Sequence, residues 1–254
     1  MIDTHVHTTF STDSKMTLKE ALEVSKEKGI ALVITEHLDL NCPIPGSFKF
    51  DIKQYFNEYG SYRGKDLLLG VEMGLTEQFM EENRAIAKKY DFDYVLGSIH
   101  FLGKYDIYFP EFYAGKTKYE AYEQYFMTMK KNISGEKFFD SLGHIDYICR
   151  YAPYIDKEIS MKEYGDLVDD VLKSVIAYDM ALEINTRRLN SISNFTNIMD
   201  IYKRFKELGG HYVTIGSDAH IPTAIGANFS CVNEILDRTG LKSVYFKNRK
   251  MEYV

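Results

Sequence analysis

The sequence predicts an α/β fold in which seven parallel strands, alternating with helices, form a barrel. Seven short apolar runs have the length and bulk of strands that are buried on both faces of a sheet. Segments with helical periodicity lie between several of these runs, and that alternation is typical of a parallel α/β sheet. The predicted barrel is one strand short of the common eight-stranded α/β barrel.

The predicted strands are apolar along most of their length, as expected for strands that are covered on both faces. In chain order they are MIDTHVH (1–7), ALVITEH (31–37), DLLLGVE (66–72), DYVLGSIH (93–100), FDSLGHID (139–146), MALEIN (180–185) and YVTIGSD (212–218). The tail SVYFKNRKMEYV either adds a strand or wraps the surface.

Capping residues mark the predicted helices. Thr17 and Glu20 form a capping box before the segment ALEVSKEK, and Gly29 ends that helix. Ser160 and Glu163 repeat the pattern before a helix that reaches about residue 178. Further helices are predicted at 76–90, at 197–210 and in TKYEAYEQYFMTMKKN, which lies in the long connection 101–138; the other long connection is 38–65.

Composition and charge narrow the class of protein. The 254 residues are 45% hydrophobic, which suits one domain over 1–254 with a substantial core. The net charge of −6 disfavours broad, nonspecific binding to nucleic acid. Cys42, Cys149 and Cys231 form no CxxC pair and predict free thiols in a reducing cytoplasm. No targeting pattern and no run near the ~20 apolar residues of a membrane span is present, so we expect a cytoplasmic protein without a membrane partner.

Six of the seven histidines lie at the C-terminal ends of predicted strands, and only His211 precedes its strand. In an α/β barrel those ends open on one face, where active sites are built. His5 and His7 are two residues apart, so their side chains point to the same side of a strand. One such histidine alone is adequately explained as a structural residue, but chance does not select the same end of several strands. The residues predicted to converge are His5, His7, Asp13, His37, Glu72, His100, His144, Asp218 and His220.

A buried cluster of imidazoles and carboxylates requires cations, because like charges would otherwise repel and acceptors would lack partners. Imidazole and carboxylate without thiolate favour zinc, iron or manganese over calcium or magnesium. Nine donors are too many for one ion and suit two or three. Asp13 has the weakest support from spacing alone, because it lies in a loop where an aspartate often caps a turn.

The segments HVHTTFSTD, TEH, VE, GSIH, GHID and GSDAH, in this order, resemble the motif series of the polymerase-and-histidinol-phosphatase (PHP) family. The resemblance spans residues 3–220 and implies a distorted seven-stranded (β/α) barrel that holds three divalent metal ions. Within the family, GSIHFL, GHIDYICRY and LEINT are similar to segments of the monofunctional histidinol-phosphatases of histidine biosynthesis. That branch implies hydrolysis of L-histidinol phosphate, a small phosphomonoester.

The resemblance also implies roles for individual residues. The first ion is assigned to His5, His7, Glu72 and Asp218, the second to Glu72, His100 and His144, and the third to Asp13, His37 and His220. Arg150, in HIDYICRY, is implied as a ligand of the substrate phosphate. The stretch EINTRRLN departs from the expected pattern, so Arg187 and Arg188 both remain candidates for a second phosphate contact.

This set of residues predicts direct attack by water. A metal cluster lowers the pKa of a bound water, and two ions about 3.5–4 Å apart align its in-line attack on phosphorus. The planar fork of Arg150 suits two phosphate oxygens at once. No serine or cysteine lies in a GxSxG context, so no phosphoenzyme is expected. Asp218 and a metal-bound water both remain candidates for assisting the leaving alkoxide.

Two other functions stay open. One is a PHP-type phosphoesterase or nuclease acting on nucleotides or other small phosphate esters. The other is a metal-binding structural or regulatory protein without catalysis, which the complete ligand set disfavours. Aromatic residues of 101–126 either line a pocket for an imidazole ring or pack in the core. The sequence indicates neither the physiological metal nor the oligomeric state.

Overall fold

The computed structural model describes residues 1–133 and 137–254 of the chain; residues 134–136 of the connection 101–138 lie outside the described residues. Within those ranges the chain forms eleven strands, several of which are buried at every residue. They are β1 (Ile2–Val6), β2 (Ala31–Leu38), β3 (Leu67–Gly74), β4 (Tyr94–Ser98), β5 (Phe101–Leu102), β6 (Tyr105–Asp106), β7 (Ser141–Leu142), β8 (Ala181–Asn185), β9 (Tyr212–Gly216), β10 (Lys242–Lys247) and β11 (Lys250–Tyr253).

Nine of these strands form one sheet in the order β1-β2-β3-β4-β7-β8-β9-β10-β11. All neighbours in it pair in parallel except β10 and β11, which are antiparallel. Each of the seven predicted runs contributes one strand, so the predicted α/β class with a mainly parallel sheet is confirmed. An isolated parallel bridge joins Val6, at the end of β1, to Ala219, shortly after β9.

Helices connect the parallel strands, and within the described residues none is long and apolar enough to cross a membrane. The helices are α1 (Leu18–Lys28), α2 (Ile52–Tyr59), α3 (Met80–Lys89), α4 (Lys118–Ile133), α5 (Ile148–Tyr151), α6 (Met161–Ala177), α7 (Ile192–Glu207) and α8 (Ser230–Thr239). Short 3-10 turns lie at Gly60–Tyr62, Glu77–Phe79, Pro110–Phe112, Thr186–Arg188 and Pro222–Ala224. Helices α2, α5 and α8 were not predicted, and α7 begins earlier than the predicted residue 197.

The two predicted capping boxes have different outcomes. At α1 the Thr17 hydroxyl accepts from the Glu20 amide at 3.2 Å, and the Glu20 carboxylate accepts from the Thr17 amide at 2.8 Å. Gly29 ends this helix in the left-handed region, with φ of 65°. At α6 the box prediction is wrong, because the Glu163 amide donates to the carbonyl of Ser160, whose hydroxyl makes no capping bond to the described residues.

The C-terminal tail adds two strands and covers the N-terminal ends of the sheet. Val244 and Phe246 of β10 pack in a small apolar cluster with residues near the starts of the other strands, such as Tyr94. The Arg249 guanidinium donates to Asp140, which directly precedes β7, at 2.6 Å. Apolar packing therefore fills this end of the sheet, and the opposite, C-terminal ends carry the polar residues.

Candidate metal centre

The nine predicted donors lie together at the C-terminal ends of the parallel strands. His5 belongs to β1, His37 to β2 and Glu72 to β3. Asp13 lies in the loop between β1 and α1, and the remaining donors follow strand ends within a few residues. Seven of the nine are buried, and the side chain of Asp13 is the most open, at 41% exposed. His211 is exposed and lies before β9, away from the group. The predicted convergence on one face is therefore found in the structure.

Glu72 is the centre of the cluster. Its carboxylate is fully buried, and Ser98 donates a hydrogen bond to Oε1 at 2.7 Å. Imidazole nitrogens from five separate positions in the chain surround its two oxygens. The distances are 2.9 Å from His37 Nδ1, 3.2 Å from His5 Nε2 and 3.5 Å from His7 Nε2 to Oε2, and 2.8 Å from His144 Nε2 and 3.3 Å from His100 Nε2 to Oε1.

Two aspartates complete the cluster at its edge. Asp13 Oδ2 lies 3.0 Å from His220 Nε2 and 3.6 Å from His37 Nε2. Asp218 Oδ1 lies 3.6 Å from His7 Nε2. The Asp218 backbone is left-handed, with φ of 55°, a conformation that is uncommon for residues other than glycine, although aspartate adopts it more readily than most.

Several buried atoms that face the cluster have no hydrogen-bond partner among the described residues, which is rare for buried polar groups. They are His5 Nε2, His7 Nε2, His37 Nδ1 and Glu72 Oε2. Imidazole nitrogens and carboxylate oxygens are the donors that zinc, iron and manganese prefer. Four sets of three among the nine donors have their ligand atoms within 4.8 Å of one another, and a fifth set joins His37 and His100 to Asp39, so the residues fit a centre for more than one metal ion.

Burial and neighbouring charges together set the protonation of the cluster. Burial and the nearby charges of His37 and His220 hold the pKa of His7 well below its ordinary value, which keeps its lone pair available. Burial alone would raise the pKa of Glu72, but the charges of His5 and His100 outweigh it and hold that pKa well below its ordinary value. The carboxylate is therefore ionised, as a metal ligand must be.

The three candidate arginines have different surroundings. The Arg150 side chain, 8% exposed, lies beside the cluster and donates to Asp218 at 2.6 Å and to Asn185 at 3.0 Å. Arg187 donates to Asp218 Oδ1 at 3.2 Å, with a side chain that is 43% exposed. Arg188 turns away and forms buried ion pairs with Asp146 and Glu158. Only the first two therefore reach the cluster.

Sequence reasoning missed several polar residues that hold the site from outside, among them Asp39, Glu183 and Asn185. Asp39 contacts His100 Nδ1 at 3.0 Å, and Glu183 contacts His5 Nδ1 at 2.6 Å. Asn185, two residues after Glu183, binds Arg150. A signal existed in the run MALEIN, where Glu183 and Asn185 alternate on one face of an otherwise apolar strand.

A cavity of about 630 Å³ adjoins the cluster at Asp13, His37 and His100. The hairpin β5–β6 builds one wall, because it pairs Phe101 with Asp106 and so returns the chain beside His100. The remaining walls combine aromatic side chains with an acidic group: Phe48, Tyr108, Phe109, Glu111, Tyr147 and Tyr151. The hairpin itself contributes the charged residues Lys104 and Asp106 to the lining. Aromatic residues of the 101–126 segment thus line a pocket, although others, such as Phe112 and Tyr122, are buried in the core.

Comparison with known proteins finds similarity over the whole chain. The profile of the PHP domain matches residues 3–187. A "Probable histidinol-phosphatase" of Clostridium acetobutylicum is 49% identical over 253 residues, covering 100% of this chain and 99% of that protein. A "Histidinol-phosphatase" of Lactococcus lactis is 32% identical, covering 87% and 84%. The crystal structure of a histidinol phosphate phosphatase from Lactococcus lactis, complexed with zinc, L-histidinol and phosphate, has a TM-score of 0.92 at 29% identity, covering 99% of this chain and 98% of that one.

Proposed function

This chain belongs to the PHP domain family, and from that membership we propose that it is a histidinol-phosphatase. The enzyme hydrolyses L-histidinol phosphate to L-histidinol and phosphate, a reaction of histidine biosynthesis. The observation that carries this function is the set of five imidazoles around Glu72, with two arginines at its edge and an acidic, aromatic cavity beside it. Full-length similarity to histidinol-phosphatases supports the choice of substrate.

Three divalent metal ions, zinc, iron or manganese, are the proposed cofactor. One ion is held by His5, His7, Glu72 and Asp218, a second by Glu72, His100 and His144, and a third by Asp13, His37 and His220. The buried, unpartnered nitrogens of His5 and His7 support this scheme, as does zinc in the similar crystal structure. Bound metal ions supply an activated water and charge stabilisation at the phosphoryl group.

The substrate phosphate is proposed to bind against Arg150 and Arg187. Asp218 anchors both guanidinium groups, at 2.6 and 3.2 Å, so that they point to one place beside the cluster. The Arg150 fork is held from a second side by Asn185, which restricts its orientation before substrate arrives. Two fixed cations at the phosphoryl oxygens stabilise the charge that develops there during in-line displacement by water.

The cavity beside His37 and His100 is proposed to hold the histidinol part of the substrate. Histidinol carries an ammonium group and an imidazole ring, and the cavity offers a matching partner for each. Asp106, Glu111 and Tyr108 all line the cavity, and we propose that the two carboxylates pair with the ammonium and that Tyr108 stacks on the ring. A nucleotide has no ammonium group to place against these carboxylates, so the wall disfavours it.

The remaining proposals concern the whole chain. We propose that residues 1–254 form a single domain in which β1–β4 and β7–β9 make a distorted seven-stranded barrel, and the bridge between Val6 and Ala219 supports closure. A reducing, cytoplasmic location is supported by three cysteines without a disulfide among the described residues.

Phosphate release from a substrate panel tests the function. The panel contains histidinol phosphate, nucleotides, sugar phosphates and an aryl phosphate, with metal content measured in parallel. We expect kcat/KM for histidinol phosphate to exceed that for every other ester by at least about 100-fold. This ratio corresponds to a difference of ~2.7 kcal/mol in transition-state stabilisation between the two substrates. A preference for nucleotides would refute the substrate assignment but would not contradict the proposed metal centre. Metal binding without any hydrolysis would indicate the non-catalytic alternative.

Asp106→Asn tests the cavity separately from the metal centre. The change removes one negative charge and keeps the acceptor for the Tyr108 amide, which binds Asp106 Oδ1 at 2.8 Å. We expect KM for histidinol phosphate to rise about tenfold, because a charge-assisted bond to the ammonium is lost. The kinetics of an aryl phosphate, which has no ammonium, serve as the control and should stay within about twofold. Equal losses on both esters would contradict the assignment.

Arg187→Ala and Arg188→Ala form a matched pair of neighbouring substitutions. Arg187→Ala is expected to raise KM about tenfold, since a phosphate contact is lost. Arg188→Ala should leave kcat and KM within about threefold of wild type. It should lower the free energy of unfolding by about 3 kcal/mol, because the buried carboxylate of Asp146 loses its ion-pair partner. Steady-state kinetics and denaturant unfolding measure both. The reverse pattern would exchange the two assignments.

A further inference from the structure

Three side chains outside the cluster each hold one of its members by a hydrogen bond. Asp39 contacts His100 Nδ1 with both carboxylate oxygens at 3.0 Å, and it is 1% exposed. Glu183, fully buried, contacts His5 Nδ1 at 2.6 Å. His7 shows the same arrangement through a relay, since its Nδ1 meets the Ser11 hydroxyl at 3.1 Å and that hydroxyl donates to Glu36.

The orientation of these contacts decides which nitrogen faces the cluster. An ionised carboxylate only accepts, so the proton it shares with an imidazole lies on Nδ1. Nε2 then points inward, and it lies 3.3 Å from Glu72 in His100 and 3.2 Å from Glu72 in His5. A carboxylate behind a metal-binding histidine fixes both the ring orientation and the nitrogen that binds.

Glycines make room for these carboxylates. A Cβ built on Gly74 would lie 1.9 Å from Asp39 Oδ1. One built on Gly216 would lie 2.4 Å from Glu183 Oε1 and equally close to Cβ of His5, the residue that Glu183 holds. Neither glycine has a backbone conformation in the left-handed region. Space, and not backbone geometry, therefore requires glycine at these two positions.

We infer that Asp39 and Glu183 are positioning residues that present Nε2 of His100 and His5 to the metal ions. Gly74 and Gly216 leave the space that these two carboxylates occupy. This inference rests on the proposed metal centre and adds its outer support. Each carboxylate acts through the imidazole that it contacts. The set explains why buried acidic side chains lie next to a cluster that already contains three carboxylates.

Zinc affinity of the protein prepared without metal tests the inference, measured by competition with a chelator. Asp39→Ala is expected to weaken zinc binding by about 10–100-fold, the usual effect of losing such a partner. Gly74→Ala should cause a similar loss, because its methyl group displaces the Asp39 carboxylate. In the Asp39→Ala background, Gly74→Ala should change affinity by less than about threefold, since that carboxylate is then absent.

Two control variants separate positioning from general damage. Asp140→Asn alters a buried carboxylate that pairs with Arg249 at the opposite end of the strands. Gly165→Ala adds a methyl group that would lie 3.9 Å from the side chain of Met161. Both should bind zinc within about threefold of wild type. If Asp39→Ala does not fold, Asp39→Asn keeps its shape and should still lose at least about threefold.

Three results would overturn the inference. Unchanged zinc affinity in the Asp39 variant that folds would remove the positioning role while leaving the phosphatase assignment intact. Additive losses in the double variant would show that Gly74 acts independently of Asp39. If the wild-type protein bound no zinc, iron or manganese, that result would contradict both this inference and the proposed function.

Discussion

Glu72→Ala is expected to abolish phosphatase activity and metal binding together. The substitution removes the carboxylate that lies within 3.5 Å of five imidazoles, so no arrangement of the remaining donors restores a shared ligand. We expect kcat to fall by at least about 10³-fold, because the metal-dependent step loses its ions. Metal analysis and kinetics on the same preparation measure both effects, and Glu72→Gln, which keeps the volume, should behave alike.

Asp93→Asn is the matched control for a buried carboxylate. Asp93 is fully buried and pairs with Arg63 at 2.6 Å, at the start of β4 and so at the far end of the sheet. This variant should lose stability but keep metal content and kcat within about threefold. Full activity with intact metal content in Glu72→Ala would refute the ligand scheme.

Arg150→Ala is expected to lower kcat/KM by about 10²–10³-fold while metal content stays unchanged. Losing a preorganised donor at developing charge has effects of this size. Both parameters should change, with KM rising and kcat falling, since the guanidinium contacts phosphate before and during displacement. Steady-state kinetics with parallel metal analysis make the measurement.

Two further variants test whether the effect depends on the shape of the Arg150 side chain and on its position in the site. Arg150→Lys keeps the charge but loses the two-pronged geometry that reaches Asp218 and Asn185 together, so it should recover only part of the activity. Arg204→Ala removes an arginine that pairs with Asp169 between α6 and α7 and should leave kinetics unchanged. Wild-type kinetics in Arg150→Ala would exclude this residue from the site.

The position of the site was predictable because parallel strands end on one face of the sheet. His5, His37 and Glu72 close predicted strands, and the structure brings all three together. Their convergence follows from strand direction alone and requires no knowledge of loop conformation. Even Asp13, the weakest candidate by spacing, lies 3.0 Å from His220.

Element boundaries were less predictable. The run 139–146 reads as one strand, but β7 pairs with its neighbours only at Ser141 and Leu142. The chain then leaves the sheet and carries His144 to Glu72. Helix α2 lies inside a connection that reads as a loop, because a helix of eight residues leaves little periodic signal.

The sequence by itself determined the fold class and which donors collect at the strand ends, since both follow from apolar periodicity and parallel strand direction. Tertiary structure alone decided that Arg187 faces the cluster while Arg188 pairs with Asp146, because neighbouring residues on a 3-10 turn diverge. It also decided that Asp39 lies behind His100, since that contact joins segments 61 residues apart. Pairings between distant segments depend on how the chain packs, and no local pattern records them.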